Sequence, residues 1–234
     1  AIGVDLLEAY GLTETCGFCT AMPPQQIRIG TAGIACEGTE IRLGAHDEVL
    51  VRGPNVFAGY WKRPDQTREV IDADGWLHTG DCGAIDAEGY LAIKDRIKDI
   101  IITSGGKNIT PSNIENHLKF SAYISDAVVV GEGRHFLTCL VMLDQETVAK
   151  FAQDRQLAYT DFASMTRAPE VVALINAEIE QVNARLARVE QIKSFRIIAQ
   201  QLGAEDEELT ATMKLKRKVV ARKYADLIDT MYAG

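Results

Sequence analysis

The sequence predicts a mixed α/β (α+β) chain in two parts, a strand-and-turn region followed by a compact α+β region. Three observations carry this expectation. Residues 27–95 are cut at short intervals by Gly, Pro and Asp, and they hold alternating runs such as Glu40-Ile41-Arg42-Leu43 and Glu48-Val49-Leu50-Val51. After Arg96, strand-like and helix-like stretches interleave. From Pro169 the apolar residues Val171, Ile175, Ile179, Val182, Leu186 and Val189 recur every three or four positions, one face of a long amphipathic helix.

In chain order, Val4–Leu7 reads as a short buried strand. Residues 27–95 read as a small barrel or curled sheet with one helical stretch near 64–72. Ile100-Ile101-Ile102 is a buried strand ended by Gly105-Gly106, and Pro111 suits the first position of a helix running to about Phe120. Val128–Val130 and Leu137–Leu143 read as a hairpin, and residues 145–154 as a helix. Phe195–Ile198 is a last strand and residues 216–232 a last helix. The boundary falls at residues 95–98, giving parts 1–96 and 97–234. No internal repeat or low-complexity tract is visible.

The 234 residues, 47% hydrophobic and 25% charged, are ordinary globular usage, which excludes disorder, collagen and coiled-coil arrays. The net charge of −8 argues against nucleic acid as a partner. Residues 1–97 hold 8 basic against 15 acidic side chains and the rest 17 against 18, so the second part has room for a basic surface facing phosphates. Cysteines at 16, 19, 36, 82 and 139 suggest the reduced thiols of a cytoplasmic protein. The longest apolar runs, such as Leu137–Leu143, fall far short of the ~20 residues of a membrane helix. No signal peptide is visible, and a chain opening at Ala1 reads as a piece of something longer.

Several motif-like stretches are set aside. Cys16-Gly-Phe-Cys19 lacks the βαβ surroundings of a redox pair. Gly131-Glu-Gly133 is half of a dinucleotide fingerprint and fits a hairpin turn better. Ser104-Gly-Gly-Lys107 misses a phosphate loop's first glycine and its final Ser/Thr. The four histidines show no metal-ligand spacing.

Four segments remain as a set. Tyr10-Gly11-Leu12-Thr13-Glu14-Thr15 combines an aromatic ring, a glycine bend, two hydroxyls and a carboxylate, fit to stack a base, meet a phosphate and ligate Mg²⁺. In Asp74-Gly75-Trp76-Leu77-His78-Thr79-Gly80-Asp81 the last carboxylate can accept from both hydroxyls of a ribose diol, while Trp76 reads as core. Lys94-Asp95-Arg96-Ile97-Lys98-Asp99, continuing to Gly105-Gly106-Lys107, is a charge cluster at the domain junction followed by a flexible glycine pair. Thr210-Ala211-Thr212-Met213-Lys214-Leu215-Lys216-Arg217-Lys218 is a basic segment leading into the last helix.

In this order the four segments resemble the adenylate-forming superfamily of acyl-CoA synthetases, nonribosomal adenylation domains and firefly luciferases. Within it they look most like long-chain fatty acyl-CoA synthetases. The stretch from Val51-Arg52-Gly53-Pro54 through Gly59-Tyr60-Trp61 to Gly106 carries most of the likeness. The resemblance implies the strand-rich end of a large AMP-binding domain (1–96) followed by a small mobile carboxyl-terminal domain (97–234). It also implies an AMP-forming fatty acid–CoA ligase using ATP, Mg²⁺ and coenzyme A. Carried over residue by residue, Tyr10 stacks on adenine, Gly11 belongs to the same cofactor-binding segment, Thr13 meets the α-phosphate, Glu14 Mg²⁺ and Asp81 the ribose hydroxyls. Arg96 reaches ribose or phosphate, Lys98 is the hinge, and Gly105 and Gly106 line the pantetheine tunnel. Lys214 matches the catalytic lysine, with Lys216 and Lys218 as rivals. Ala211 departs from the usual proline. The phosphate loop and acyl pocket are expected upstream of Ala1, so the fragment is expected to be inactive alone. A fatty acyl-AMP ligase and a non-catalytic nucleotide- or CoA-binding module are the alternatives. Oligomerisation and peripheral contact with the inner membrane face stay open.

Overall fold

A computed structural model describes residues 3–200, 205–209 and 215–233. The chain divides into two compact units, Ala1–Asp99 and Ile100–Gly234.

In the first unit, β1 (Ala9–Leu12) and β2 (Gly17–Ala21) form an antiparallel hairpin around a one-turn 3-10 helix, Thr13–Thr15, and β3 (Ile34–Ala35) adds to β2. The hairpin depends on Gly11, since a Cβ there would sit 2.0 Å from the Gly17 carbonyl oxygen. A second sheet is an antiparallel meander in sequence order, β4 (Glu40–Leu43), β5 (Glu48–Arg52), β6 (Leu77–Ile85) and β7 (Leu91–Arg96), with α1 (Pro64–Val70) between β5 and β6. The strand order is linear, so in this chain the region is an open sheet and not a closed barrel. Its core is Cys19, Val49, Val51, Leu77 and Leu91, the inward set of the alternating strands. Trp76 is core as read: 6% exposed, with the guanidinium groups of Arg42 and Arg52 at 4.2 and 4.4 Å from its ring centroid.

One expected strand is absent. Val4 to Leu7 lie in no strand, and Val4 and Leu6 are 71% and 84% exposed. An apolar run by itself does not supply the ladder partner a strand needs.

The second unit opens with a two-stranded hairpin, β8 (Ile101–Ile102) and β9 (Asn108–Ile109), then α2 (Pro111–Leu118) with Pro111 in its first turn. A three-stranded sheet follows: β10 (Ile124–Val130) is antiparallel to β11 (Leu137–Leu143), the expected hairpin. After α3 (Gln145–Asp154), α4 (Phe162–Thr166) and α5 (Pro169–Asn183), β12 (Ile192–Ile197) returns parallel to β11, leaving β11 buried in the middle. Then come α6 (Arg217–Lys223) and α7 (Ala225–Thr230). The helices α2, α3 and α5 pack one face of the sheet, centred on Val141, Val148 and Ile175. The last two helices cover Val128, Leu140 and Met142 on the other.

Two helix readings change. The helix from Pro169 stops at Asn183, so Leu186 and Val189 both lie beyond it, Leu186 still packed against the core and Val189 half exposed. The buried Asn183 side chain takes over, bonding both the N–H and the C=O of Ile192 at 2.9 Å and turning the chain into β12. The last helix is two, broken at Tyr224, whose φ of −106° and ψ of 25° leave the helical region.

Candidate functional site

Asp81 lies on β6 and is 5% exposed, a burial that requires partners. It has them. Directly across the ladder on β7 stands Arg96, whose Nε is 3.1 Å from Asp81 Oδ1. From β1 the Tyr10 hydroxyl donates to Asp81 Oδ2 at 2.6 Å. Burial, and then this bond, push the Tyr10 phenol far above its ordinary range, so it stays a proton donor. The Asp81 N–H donates to Thr79 Oγ1 at 3.1 Å. An ionised carboxylate offers about two acceptor positions on each oxygen. Tyr10 takes one of them by hydrogen bond and Arg96 faces the other oxygen as an ion pair, which leaves acceptor capacity on the carboxylate for hydroxyl donors.

Glu14 sits in the 3-10 turn between β1 and β2. That turn is closed by the buried Thr15, whose Oγ1 accepts from Leu12 N at 2.8 Å and donates to Gly17 O at 2.6 Å. The Glu14 carbonyl accepts from Phe57 N at 2.8 Å and its Oε1 accepts from the Tyr60 hydroxyl at 2.6 Å. The bond to Glu14 holds the Tyr60 phenol above its usual range. Glu14 Oε2 is left over, and Mg²⁺ in phosphate sites is commonly held by one or two carboxylates plus the substrate's phosphates. Thr13, next to it, is exposed.

Of the residues singled out from the sequence, the structure thus gathers Tyr10, Asp81 and Arg96 around one carboxylate. Gly11, Thr13 and Glu14 lie on the adjoining hairpin. Lys98 is exposed in a 3-10 turn, Ile97–Asp99, directly after β7. Gly105 and Gly106 lie at the exposed tip of the β8–β9 hairpin, where Gly106 N donates to Thr103 O at 2.8 Å. Lys214 lies outside the described residues. Its rivals Lys216 and Lys218 are exposed, and Lys216 Nζ reaches Glu207 O at 3.1 Å. Two side chains given no role from the sequence join the cluster, Tyr60 and Thr79. Tyr60 belongs to the Gly59-Tyr60-Trp61 stretch, but its 46-residue separation from Glu14 leaves no local signal.

Cys16 is exposed, whereas Cys19 is fully buried, its thiol pushed up to about 11 by that burial. Residues 131–136 are the β10–β11 turn. Among the described residues no cluster of His, Cys, Asp or Glu has metal-binding geometry, and no helix is long and apolar enough to cross a membrane.

Residues 98–234 match the family described as AMP-binding enzyme C-terminal domain, and residues 1–61 match AMP-binding enzyme. The chain belongs to the AMP-binding enzyme family. Curated relatives agree along the whole chain. A putative fatty-acid–CoA ligase, fadD11, of Mycobacterium tuberculosis is 41% identical over 234 residues, 100% of this chain and 41% of that protein. The long-chain-fatty-acid–CoA ligase FadD15 of Mycobacterium bovis is 39% identical over 231 residues, 98% of this chain and 38% of that protein. This chain therefore spans about two fifths of the length of these relatives. Among solved structures, ATP-bound MatB from Rhodopseudomonas palustris aligns with a TM-score of 0.66 and 26% identity, over 96% of this chain and 42% of that one. The adenylation domain of a Mycobacterium chelonae carboxylate reductase aligns with a TM-score of 0.75. At 22% identity, over 97% of this chain and 35% of that one, it speaks for the fold alone.

Proposed function

We propose that this chain is the carboxyl-terminal part of an AMP-forming long-chain fatty acid–CoA ligase. It would comprise the end of the large AMP-binding domain (1–96) and a small mobile domain (97–234). The observation that carries the reading is the buried Asp81 carboxylate, held by the Tyr10 hydroxyl and paired with Arg96, in a chain matched along its length by proteins named as fatty-acid–CoA ligases.

In this reading the fatty carboxylate attacks the α-phosphorus of ATP and pyrophosphate leaves. The thiolate of coenzyme A then attacks the acyl carbonyl and AMP leaves. Both partners of the first step are anions, so positioned cations carry much of the barrier reduction. Asp81 accepts the two ribose hydroxyls, the Tyr10 ring with Gly11 beside it faces adenine, and Arg96 lies within reach of ribose or phosphate. Thr13 donates to the α-phosphate, and Glu14 would hold Mg²⁺, which would supply charge neutralisation at the phosphates. Lys214 bridges the attacking carboxylate and the α-phosphate, a role that suits a flexible ammonium. Rotation about Lys98 then withdraws Lys214 and brings Gly105 and Gly106 to the pantetheine arm of coenzyme A.

The test uses the enzyme from the complete reading frame. It is incubated with ATP, Mg²⁺ and coenzyme A against acetate, benzoate, octanoate and palmitate, and products are read by mass spectrometry. Acyl-CoA formed mainly from palmitate is expected. Acyl-AMP without thioester assigns the chain to an enzyme that stops at the adenylate, and no product from any acid leaves a nucleotide- or CoA-binding module. Lys214→Ala is expected to abolish adenylation while sparing thioester formation from supplied acyl-AMP; equal loss of both overturns its assignment. Lys98→Pro, which fixes φ, is expected to stall the cycle after the first half-reaction.

A further inference from the structure

The ladder between β5 and β6 contains an irregularity next to Asp81. Leu50 pairs with His78 and Glu48 with Cys82, so the two-residue step on β5 faces a four-residue step on β6. Thr79, Gly80 and Asp81 are the residues inside that bulge. A bulge leaves backbone groups without ladder partners and re-aims the side chains it carries. Gly80 adopts a φ of +71°, which a residue with a side chain would resist.

Side chains replace the missing ladder. Glu48 Oε1 accepts from Gly80 N at 3.0 Å, and Thr79 Oγ1 donates to Val49 O at 2.7 Å. The other oxygen of Glu48, Oε2, lies 2.8 Å from His78 Nδ1. His78 Nε2 lies 3.6 Å from Asp72 Oδ2, and Asp72 is itself fixed because its Oδ1 accepts from Trp76 N at 2.8 Å and Asp74 N at 3.0 Å. The Glu48 side chain is only 16% exposed, so these are the bonds that hold it. None of the three side chains is among the residues given to the nucleotide.

We infer that Glu48, oriented by His78 and Asp72, is a positioning residue. It locks the Thr79–Asp81 bulge and thereby sets the direction of the Asp81 carboxylate toward the ribose diol. The inference rests on the nucleotide reading of Asp81 and extends it to residues that touch no substrate. It ties ribose recognition to the β5–β6 ladder, because the group that reads the diol is aimed by a side chain from the neighbouring strand.

The readout is the preference for ATP over 2′-deoxy-ATP in the complete enzyme, taken as the ratio of kcat/KM with palmitate and coenzyme A saturating. A hydrogen bond to a carboxylate aimed at the 2′-hydroxyl gives a preference of roughly 10-fold or more. In Glu48→Ala the preference is expected to fall below about 3-fold, mainly through a higher KM for ATP, with the KM for palmitate unchanged. Glu48→Gln keeps an acceptor for Gly80 N and is expected to restore most of it. Val51→Ala, a core truncation in the same strand, controls for lost stability and is expected to leave the preference intact. An active enzyme whose Glu48→Ala form keeps the wild-type preference, or whose Val51→Ala form loses it equally, overturns this inference alone. A wild-type enzyme that turns over no ATP overturns the nucleotide reading and this inference together.

Discussion

The Arg217–Glu115 pair fastens the start of α6 to α2 and β10, and removing one side of it should be clearly damaging to the second unit. Arg217 Nη1 and Nη2 meet Glu115 Oε1 and Oε2 at 2.7 Å each, and Nη1 also reaches Val129 O at 2.9 Å. Glu115 Oε1 accepts from Val129 N at 2.7 Å as well. The Glu115 side chain is 10% exposed and that of Arg217 23%. Breaking a buried pair costs ~3–5 kcal/mol because the remaining charge is stranded. Partial access to water at Arg217 reduces this, so Arg217→Met is expected to cost about 2–3 kcal/mol. With a urea slope of ~1–3 kcal/mol per M, the unfolding midpoint should drop by about 1 M or more. Far-ultraviolet circular dichroism of the chain in urea measures it. The double variant Glu115→Gln/Arg217→Met should recover part of the loss, since it removes the stranded charge. A midpoint shift of a few tenths of a molar or less, or a double variant no better than the single one, would show that the pair behaves as a solvated surface contact.

Three further outcomes follow from the same structure. Tyr10 keeps its proton in the fold above the pH near 10 at which an unfolded tyrosine loses it. Its contribution is thus complete below pH 10 and lost as pH rises beyond, so stability should fall more steeply between pH 9 and 11 in the wild type than in Tyr10→Phe; parallel profiles contradict the burial argument. Iodoacetamide at pH 8 should label the exposed Cys16 and spare Cys19 and Cys139, whose thiols burial holds protonated, as peptide mass spectrometry reads directly; native labelling of Cys19 contradicts it. Asn183→Ala strands the buried N–H and C=O of Ile192 and should destabilise the second unit by about 1–3 kcal/mol, measured by thermal melting; an unchanged melt would mean that other groups take both bonds.

The starts of α2, α3 and α5 were legible because their signals are local, whereas α4 (Phe162–Thr166) was missed although Asp161 caps it. Pro111 and Pro169 fall in first turns, and Asp144 caps α3 by accepting from Thr147 N at 2.8 Å. The end of α5 was not legible, because the residue that ends it does so through a backbone nine positions away. Val4–Leu7 failed for a related reason: hydrophobicity states a need for burial and does not provide a partner. The site divides along the same line. Residue identities at Tyr10, Glu14, Asp81 and Arg96 could be assigned roles by resemblance. The contacts among them depend on register, such as Asp81 lying opposite Arg96, and no motif encodes register.

That dependence explains why a carboxylate with an expected substrate contact sits beside so irregular a piece of sheet. In a regular β6, successive residues would alternate between core and surface, and Asp81 would share its face with Thr79 and Leu77. Leu77 is core, so strict alternation would aim an unpaired carboxylate into an apolar layer, at a cost of several kcal/mol. Two extra residues between His78 and Cys82 break the alternation, bringing Asp81 to both the Tyr10 hydroxyl and Arg96. The bulge in turn creates an orphan at Gly80 N, which Glu48 satisfies. The polar network is therefore the consequence of one requirement, a buried acid with acceptor positions to spare, and each member answers a deficit left by the one before it.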